Sequence, residues 1–193
     1  MGVTASSKQR LKMFALSAAA YWLIIAGASA AQDVSLPGGA ASLNEAHGDW
    51  TVACVVRPDA QGTKVKQCAL VQEQFQLKDG QSQTRQRVMR VELRPEKGGV
   101  KGFLVLPFGL DLASGVTYQL DEGKPGGVQH FRTCLPFGCL VDIDFDAKTV
   151  EALKSGKALK VQAKADGGQD MTLAISLAGF SSAYERATAL KGA

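Results

Sequence analysis

The chain has 193 residues, of which 46% are hydrophobic and 21% are charged, as is ordinary for a globular protein. Three of the 22 Lys and Arg residues, but none of the 18 Asp and Glu residues, lie in the first 30 positions, so the remaining 163 residues have a net charge of only +1. This balance argues against nucleic acid as a partner, and the length favours a single core over two domains.

The first 30 residues have the pattern of a secretory signal peptide. A basic start at residues 8–12 precedes 16 residues without a charge (13–28), and Ala28 and Ala30 are the small residues that signal peptidase accepts. The apolar run is shorter than the roughly 20 residues of a spanning helix. We therefore expect cleavage near Ala30 and export to the periplasm, the cell envelope or the exterior. An uncleaved N-terminal anchor is the alternative.

The rest of the chain reads as short β-strands. Residues 31–46 have no clear period, which indicates a flexible N-terminal segment or a loosely held first strand. Apolar and polar residues then alternate, and Gly-rich turns separate about eight to ten runs. The pattern predicts one all-β domain over 47–193, an antiparallel β-sandwich or barrel-like sandwich with one or two short helices. The clearest alternating runs hold Val116, Tyr118 and Leu120; Val141, Ile143 and Phe145; and Met171, Leu173, Ile175 and Leu177.

Two short helices interrupt this pattern. Asp146 is suited to cap a helix over 147–155, and Gly156 is suited to end it. A second helix is expected from Ser181 or Ser182 through Ala187. Its apolar content is low, so packing against the sheets must hold it.

The four cysteines of an exported chain most often form two disulfides, and three connectivities are possible. Cys54 and Cys68 are equidistant from a turn near Gln61, so a hairpin would place them opposite each other. Cys134 and Cys139 enclose a Pro- and Gly-containing bend. The spacing therefore favours the pairs Cys54–Cys68 and Cys134–Cys139. A redox-active pair and a zinc site are the alternatives, although both lack the usual CxxC spacing.

No catalytic constellation is recognisable. His47 and His130 are the only histidines, and there is no GxSxG nucleophile motif. Asp142, Asp144 and Asp146 share one strand face and could attract calcium, but the sequence does not follow an EF-hand loop. We expect a solvated polar face there, no catalytic residues, no metal and no cofactor.

Several apolar residues have two interpretations. Trp50 and Phe180 are interpreted as core anchors, with ligand stacking as the alternative. The run from Leu104 to Leu110, which contains Phe108, is interpreted as buried packing, with an exposed rim for a partner as the alternative.

Four motifs together resemble the invasion-associated locus B family of alphaproteobacterial envelope proteins. The resemblance runs from about Gly48 to Tyr184, and it implies a secreted or periplasmic β-rich protein, in some members associated with entry into host cells. It brings no catalytic residues. The motifs are Gly48-Asp49-Trp50 followed by Cys54 and Cys68; Leu106–Leu110 with Ser114–Val116; Phe131–Cys139; and Ser176–Tyr184.

The function expected is that of an exported, non-enzymatic envelope protein whose disulfide-braced β-scaffold acts as a binding module, with a contribution to host-cell invasion. Its partner would be an envelope or host-surface component, and peripheral membrane association is a further expectation. The alternative is a periplasmic thiol oxidoreductase or hydrolase with an unrecognised site.

Overall fold

The computed structural model describes residues 34–77 and 85–192, so the predicted signal peptide lies outside the described residues. Within them the chain forms ten β-strands and two α-helices, which confirms the predicted all-β class with two helices. The strands are β1 (Ser42–His47), β2 (Trp50–Pro58), β3 (Lys64–Leu77), β4 (Arg85–Glu96), β5 (Gly99–Leu106), β6 (Val116–Leu120), β7 (Phe131–Leu135), β8 (Gly138–Asp146), β9 (Ala158–Lys164) and β10 (Asp170–Ser176), and the helices are α1 (Ala147–Ser155) and α2 (Phe180–Gly192).

The strands form two antiparallel sheets. Seven strands lie in the order β1-β2-β3-β4-β5-β8-β7, and three lie in the order β10-β9-β6. Most neighbours in the large sheet are also neighbours in sequence and are joined by hairpins, as expected for a chain with frequent turn residues. The exception is β8, which pairs with β5 after the chain has made β6 and β7.

One core lies between the sheets and under the helices. Alternate side chains of each strand point into it, which is the reason for the period of two in the sequence. No helix of the described residues is long and apolar enough to cross a membrane. Core members from the large sheet, the small sheet and the helices include Val52, Leu70, Val91, Leu104 and Val141; Val116, Leu159, Val161 and Ile175; and Val150, Leu153, Phe180 and Leu190.

Helix α1 has the predicted boundaries. The Asp146 carboxylate accepts a hydrogen bond from the Thr149 backbone N–H at 2.7 Å, and the Gly156 N–H donates to the Ala152 carbonyl. Helix α2 is longer at both ends than the predicted 181–187. Its buried positions are Phe180, Ala183, Ala187 and Leu190, which recur every three or four residues. Two of them are alanines, so the buried stripe was not evident as an apolar pattern.

The N-terminal segment takes the strand alternative where the structure describes it. Residues 42–47 form β1 beside β2, and Leu36 is buried in the core. The turn after β1 contacts the start of α2: Gly48 and Gly179 both have positive φ, and a Cβ on Gly179 would lie 2.0 Å from the His47 carbonyl oxygen. Glycine is therefore required where the β1–β2 turn meets the start of α2.

Candidate functional site

The structure pairs the cysteines as the spacing favoured. Cys54 and Cys68 are direct cross-strand partners in β2 and β3, with their Cα atoms 4.1 Å apart. Cys134 and Cys139 enclose the turn between β7 and β8, with a Cα separation of 3.9 Å. All four sulfurs are thus bonded to each other in pairs, and none is free in the described residues to act as a thiolate nucleophile or a zinc ligand.

An open groove of about 220 Å³ crosses the outer face of the seven-stranded sheet, over β1 to β4. Because Cys54 and Cys68 point into the core, the adjacent Ala53 and Ala69 point outward and face each other across the two strands. Asn44 continues this row in β1. The short side chains form the floor of the groove, which we call the outer-face groove.

Arginines form much of the wall. Arg90 and Arg94 project from β4 and Arg57 from β2. Arg94 bonds to Glu92, whereas Arg57 donates to the amide oxygen of Gln67 and pairs with no carboxylate among the described residues. The wall therefore has an excess of positive charge.

The β4 arginines belong to a continuous charge ladder. Glu73 lies 3.2 Å from Arg87 and 3.0 Å from Arg90, and Arg90 in turn lies 2.9 Å from Glu92. Partial burial raises the pKa of Glu73, but the hydrogen bonds and charges of Arg90 and Arg87 outweigh it, so its pKa lies below the ordinary value. Burial lowers the pKa of Arg90, and Glu92 with Glu73 more than offsets this effect. The ion pairs of the ladder therefore favour the charged forms of Glu73 and Arg90 and hold the guanidinium groups in place.

His47 lies in a polar cluster between β1 and α2. Its Nδ1 is 3.2 Å from the Ser182 Oγ, and its Nε2 is 3.6 Å from Glu45. Glu45 bonds Arg186 with both oxygens, at 2.6 and 2.7 Å, and the hydrogen bond from Arg186 is the main reason why the pKa of Glu45 lies below its ordinary value.

The geometry of this cluster differs from that of a catalytic triad. Ser182 Oγ donates to the Gly179 carbonyl at 3.0 Å, and with the hydroxyl proton in this bond its oxygen accepts from His47 Nδ1. A nucleophilic serine needs the opposite arrangement, with the histidine accepting the hydroxyl proton. The cluster therefore joins the first strand to the last helix.

The other predicted polar candidates are dispersed. His130 is exposed and lies just before β7, outside the named strands. Asp142 pairs with Arg132 at 2.9 Å, and Asp144 pairs with Lys101 at 3.0 Å. Asp146 caps α1. Each carboxylate of the stripe has its own protein partner, and the described residues contain no group of three or more acidic, His or Cys side chains positioned to hold a metal ion.

The apolar candidates divide between core and surface. Trp50 and Phe180 are both buried and meet edge to face with ring centroids 5.3 Å apart. Leu104, Leu106 and Leu110 are also buried, but Phe108 is 60% exposed. The buried interpretation is thus wrong for Phe108 alone.

The space between the sheets is closed. A cavity of only about 10 Å³ remains beside Trp50 and Phe180, too small for any ligand. The Tyr118 hydroxyl is buried nearby in the core without a hydrogen bond, and burial raises the pKa of this phenol. Binding at the described part of the protein therefore concerns its surface.

The sequence contains a signal for the floor of the outer-face groove. Alanines stand immediately before Cys54 and immediately after Cys68. Once those cysteines are placed opposite each other, the two alanines must also be opposite and must point the other way. The contact of His47 with Ser182 had no comparable signal, because the two residues are 135 positions apart in the sequence.

Comparisons with known proteins agree with the earlier resemblance. The family described as Invasion associated locus B (IalB) protein matches residues 50–188. The Invasion protein B homolog of Brucella abortus (strain 2308) is 45% identical over 158 residues, which cover 81% of this chain and 85% of the relative. Invasion protein B of Bartonella bacilliformis is 34% identical over 95% of this chain and 99% of the relative.

A solved structure has the same fold. The crystal structure of invasion associated protein B from Bartonella henselae superposes with a TM-score of 0.66 at 33% sequence identity, and the match covers 79% of this chain and 100% of that one.

Proposed function

We propose, since the chain belongs to the invasion-associated locus B family, that it is an exported, non-enzymatic binding protein of the cell envelope. Two disulfides suit a protein that works in an oxidising compartment, such as the periplasm or the cell surface. The apolar start of the chain followed by Ala28 and Ala30 supports export through cleavage near Ala30.

The observation that carries the proposal is the outer-face groove above the Cys54–Cys68 disulfide. The disulfide fixes β2 to β3, and the ladder from Arg87 to Arg94 orders the wall, so binding would cost little conformational entropy. A guanidinium group pairs well with carboxylates and other planar anions. We infer a partner that presents acidic or strongly polar groups to the small floor of Ala53 and Ala69.

The absence of a catalytic role is supported by the geometry of the candidates. Ser182 donates its proton away from His47, and the four cysteines are bonded in pairs. Among the described residues the histidine beside a hydroxyl is His47, and that hydroxyl, of Ser182, also bonds to the Gly179 carbonyl. The proposal accordingly assigns the groove to recognition and assigns no reaction to it.

The test uses a tryptophan that fills the groove. Ala53→Trp blocks the floor, and Ala174→Trp places the same side chain at an exposed strand position in β10 as a matched control. The processed, disulfide-bonded protein is immobilised and exposed separately to peptidoglycan, to vesicles of envelope lipids and to solubilised envelope proteins.

We expect one fraction to be retained by the wild type and by the Ala174→Trp variant, and retention to fall at least about tenfold in the Ala53→Trp variant, the equivalent of about 1.4 kcal/mol. Equal retention by both tryptophan variants would exclude the groove as the binding surface. If a fraction is retained by the Ala53→Trp variant but not by the Ala174→Trp variant, the binding surface lies on the small sheet instead.

A contribution to host-cell invasion is the second candidate, and the names of the Brucella and Bartonella relatives favour it. If it applies here, a strain without the gene should enter host cells less often, and the Ala53→Trp protein should fail to restore entry where the Ala174→Trp protein succeeds. Unchanged entry of the deletion strain would end this candidate and leave envelope binding as the function.

A further inference from the structure

A cluster of exposed apolar side chains lies at one end of the seven-stranded sheet. Exposed fractions there reach 50% for Phe75, 60% for Phe108 and 53% for Phe137, and Leu135 is 38% exposed. Single exposed apolar residues are common, but several large ones together mark a contact surface. We call these four residues the aromatic end.

The strand pairing brings them together. Phe75 is the cross-strand partner of Arg87, and the Arg87 guanidinium donates to the Phe137 carbonyl oxygen at 3.3 Å. Phe137 lies in the turn between β7 and β8, which runs against the end of β5, since a Cβ on Gly138 would lie 2.6 Å from the Leu106 carbonyl. Phe108, two residues after Leu106, is therefore at the same end of the sheet.

Positive charge surrounds the aromatic end. Arg85 and Arg87 lie in β4 beside it, and Arg90 follows in the same strand. The nearest described carboxylate is Glu73, which is shared between Arg87 and Arg90. Arg85 has no ion pair among the described residues. Arg90 also pairs with Glu92, so these three cations exceed by one the two carboxylates that pair with them.

We propose that the aromatic end docks on a lipid bilayer that carries anionic headgroups. Phenylalanine side chains gain free energy by entering the interfacial region, while arginines beside them meet the phosphate groups of the lipid. A protein partner would have to match both the projecting rings and the arginine charges, whereas a fluid bilayer needs no shape complement. The proposal does not rest on the outer-face groove, which lies over β1 to β4 and shares only Arg90 and its partner Glu92 with the residues named here.

The test places a fluorescent reporter at the surface itself. Phe137→Trp reports from the aromatic end, and Val55→Trp reports from an exposed position at the groove. The processed protein is mixed with phosphatidylcholine vesicles, with or without one quarter phosphatidylglycerol, and brominated acyl chains serve as quenchers. The signal of the native Trp50 is subtracted with the wild type, and all variants share one N-terminus, so the contribution of that segment cancels.

We expect the Phe137→Trp emission to shift to the blue and to be quenched in vesicles with phosphatidylglycerol, while the Val55→Trp emission stays unchanged. A Phe108→Ser/Phe137→Ser variant should bind these vesicles at least about tenfold more weakly, because two exposed rings lose their transfer free energy. Arg87→Gln should weaken binding only to the anionic vesicles. Near-ultraviolet circular dichroism checks that each variant is folded.

Three results would overturn the proposal. The first is a Phe137→Trp signal that neither vesicle changes. The second is equal quenching of both reporters, which would mean attachment by another part of the chain. The third is a sedimentation result in which the wild type is a dimer and the double serine variant is a monomer. The aromatic end would then be the contact surface between two copies of the chain.

Discussion

The side chain of Gln72 makes two hydrogen bonds to the backbone of Ser176 and so connects the two sheets. Its amide nitrogen donates to the Ser176 carbonyl at 2.9 Å, and its amide oxygen accepts from the Ser176 N–H at 3.0 Å. The Trp50 indole donates to the same carbonyl at 2.8 Å. Strand β10 is at the edge of its sheet and has no neighbouring strand on this side. The side chain of Gln72, which is only 4% exposed, supplies the hydrogen bonds that such a strand would make to Ser176.

Replacing Gln72 with leucine should lower the free energy of unfolding by about 1–3 kcal/mol, because the Ser176 N–H would remain buried without a partner. Gln86→Leu is the matched control, since Gln86 is an exposed glutamine in β4. Urea unfolding of the oxidised proteins measures both. A Gln72→Leu protein as stable as the control would show that the sheets are held by apolar packing alone.

Gly179→Ala should destabilise the protein far more than Gly168→Ala. Both glycines have φ near +85°, at 86° and 84°, so both substitutions carry a conformational cost of about 1 kcal/mol. A Cβ on Gly179 would collide with the His47 carbonyl, whereas nothing lies within 4 Å of one on Gly168. In thermal unfolding, the Gly179→Ala protein should therefore melt at a clearly lower temperature than the Gly168→Ala protein, because only Gly179→Ala adds the collision to the conformational cost. Equal melting temperatures would contradict the close contact between the β1–β2 turn and α2.

The two disulfides should contribute unequally to stability. Cys54 and Cys68 are 14 residues apart and buried, while Cys134 and Cys139 are 5 apart and Cys134 is exposed. The loop-entropy model gives roughly 3 kcal/mol for the first disulfide and roughly 2 kcal/mol for the second. Urea unfolding measures the loss of stability in a Cys54→Ala/Cys68→Ala variant and in a Cys134→Ala/Cys139→Ala variant. A larger loss from the shorter loop would contradict this order.

The charge ladder should make part of the stability dependent on pH. In the folded protein the pKa of Glu73 lies below its ordinary 4.5, so its ionised form stabilises the fold at neutral pH, and this contribution is lost as the pH falls below 4.5. Arg90→Gln should raise the pKa of Glu73, which NMR titration of the side-chain carboxyl carbon measures directly. Arg94→Gln is the control, because Arg94 contacts Glu92 instead. An unchanged pKa in the Arg90→Gln protein would exclude Arg90 as its main partner.

Local features could be predicted from the sequence because their partners are close along the chain. The cap of α1 joins Asp146 to Thr149, and the first disulfide closes a hairpin whose turn is visible in the residues. In each case a single short-range pattern fixes the geometry.

Long-range partners could not be predicted in the same way. The alternation in β3 places Gln72 on the inward face, but nothing near it indicates that its partner is Ser176, 104 residues later. The length of α2 was missed for a related reason: alanines at 183 and 187 become core residues only because the sheet behind them leaves little space.

Site-specific photocrosslinking in the bacterium that makes the protein tests the central claim most directly. A photoreactive phenylalanine is placed at Val55 in the outer-face groove, and at Thr172 on the exposed side of β10 as the reference. Recognition through the groove predicts a discrete crosslinked envelope partner from position 55 and none from position 172. Crosslinks of equal yield from both positions, or from position 172 alone, would contradict it.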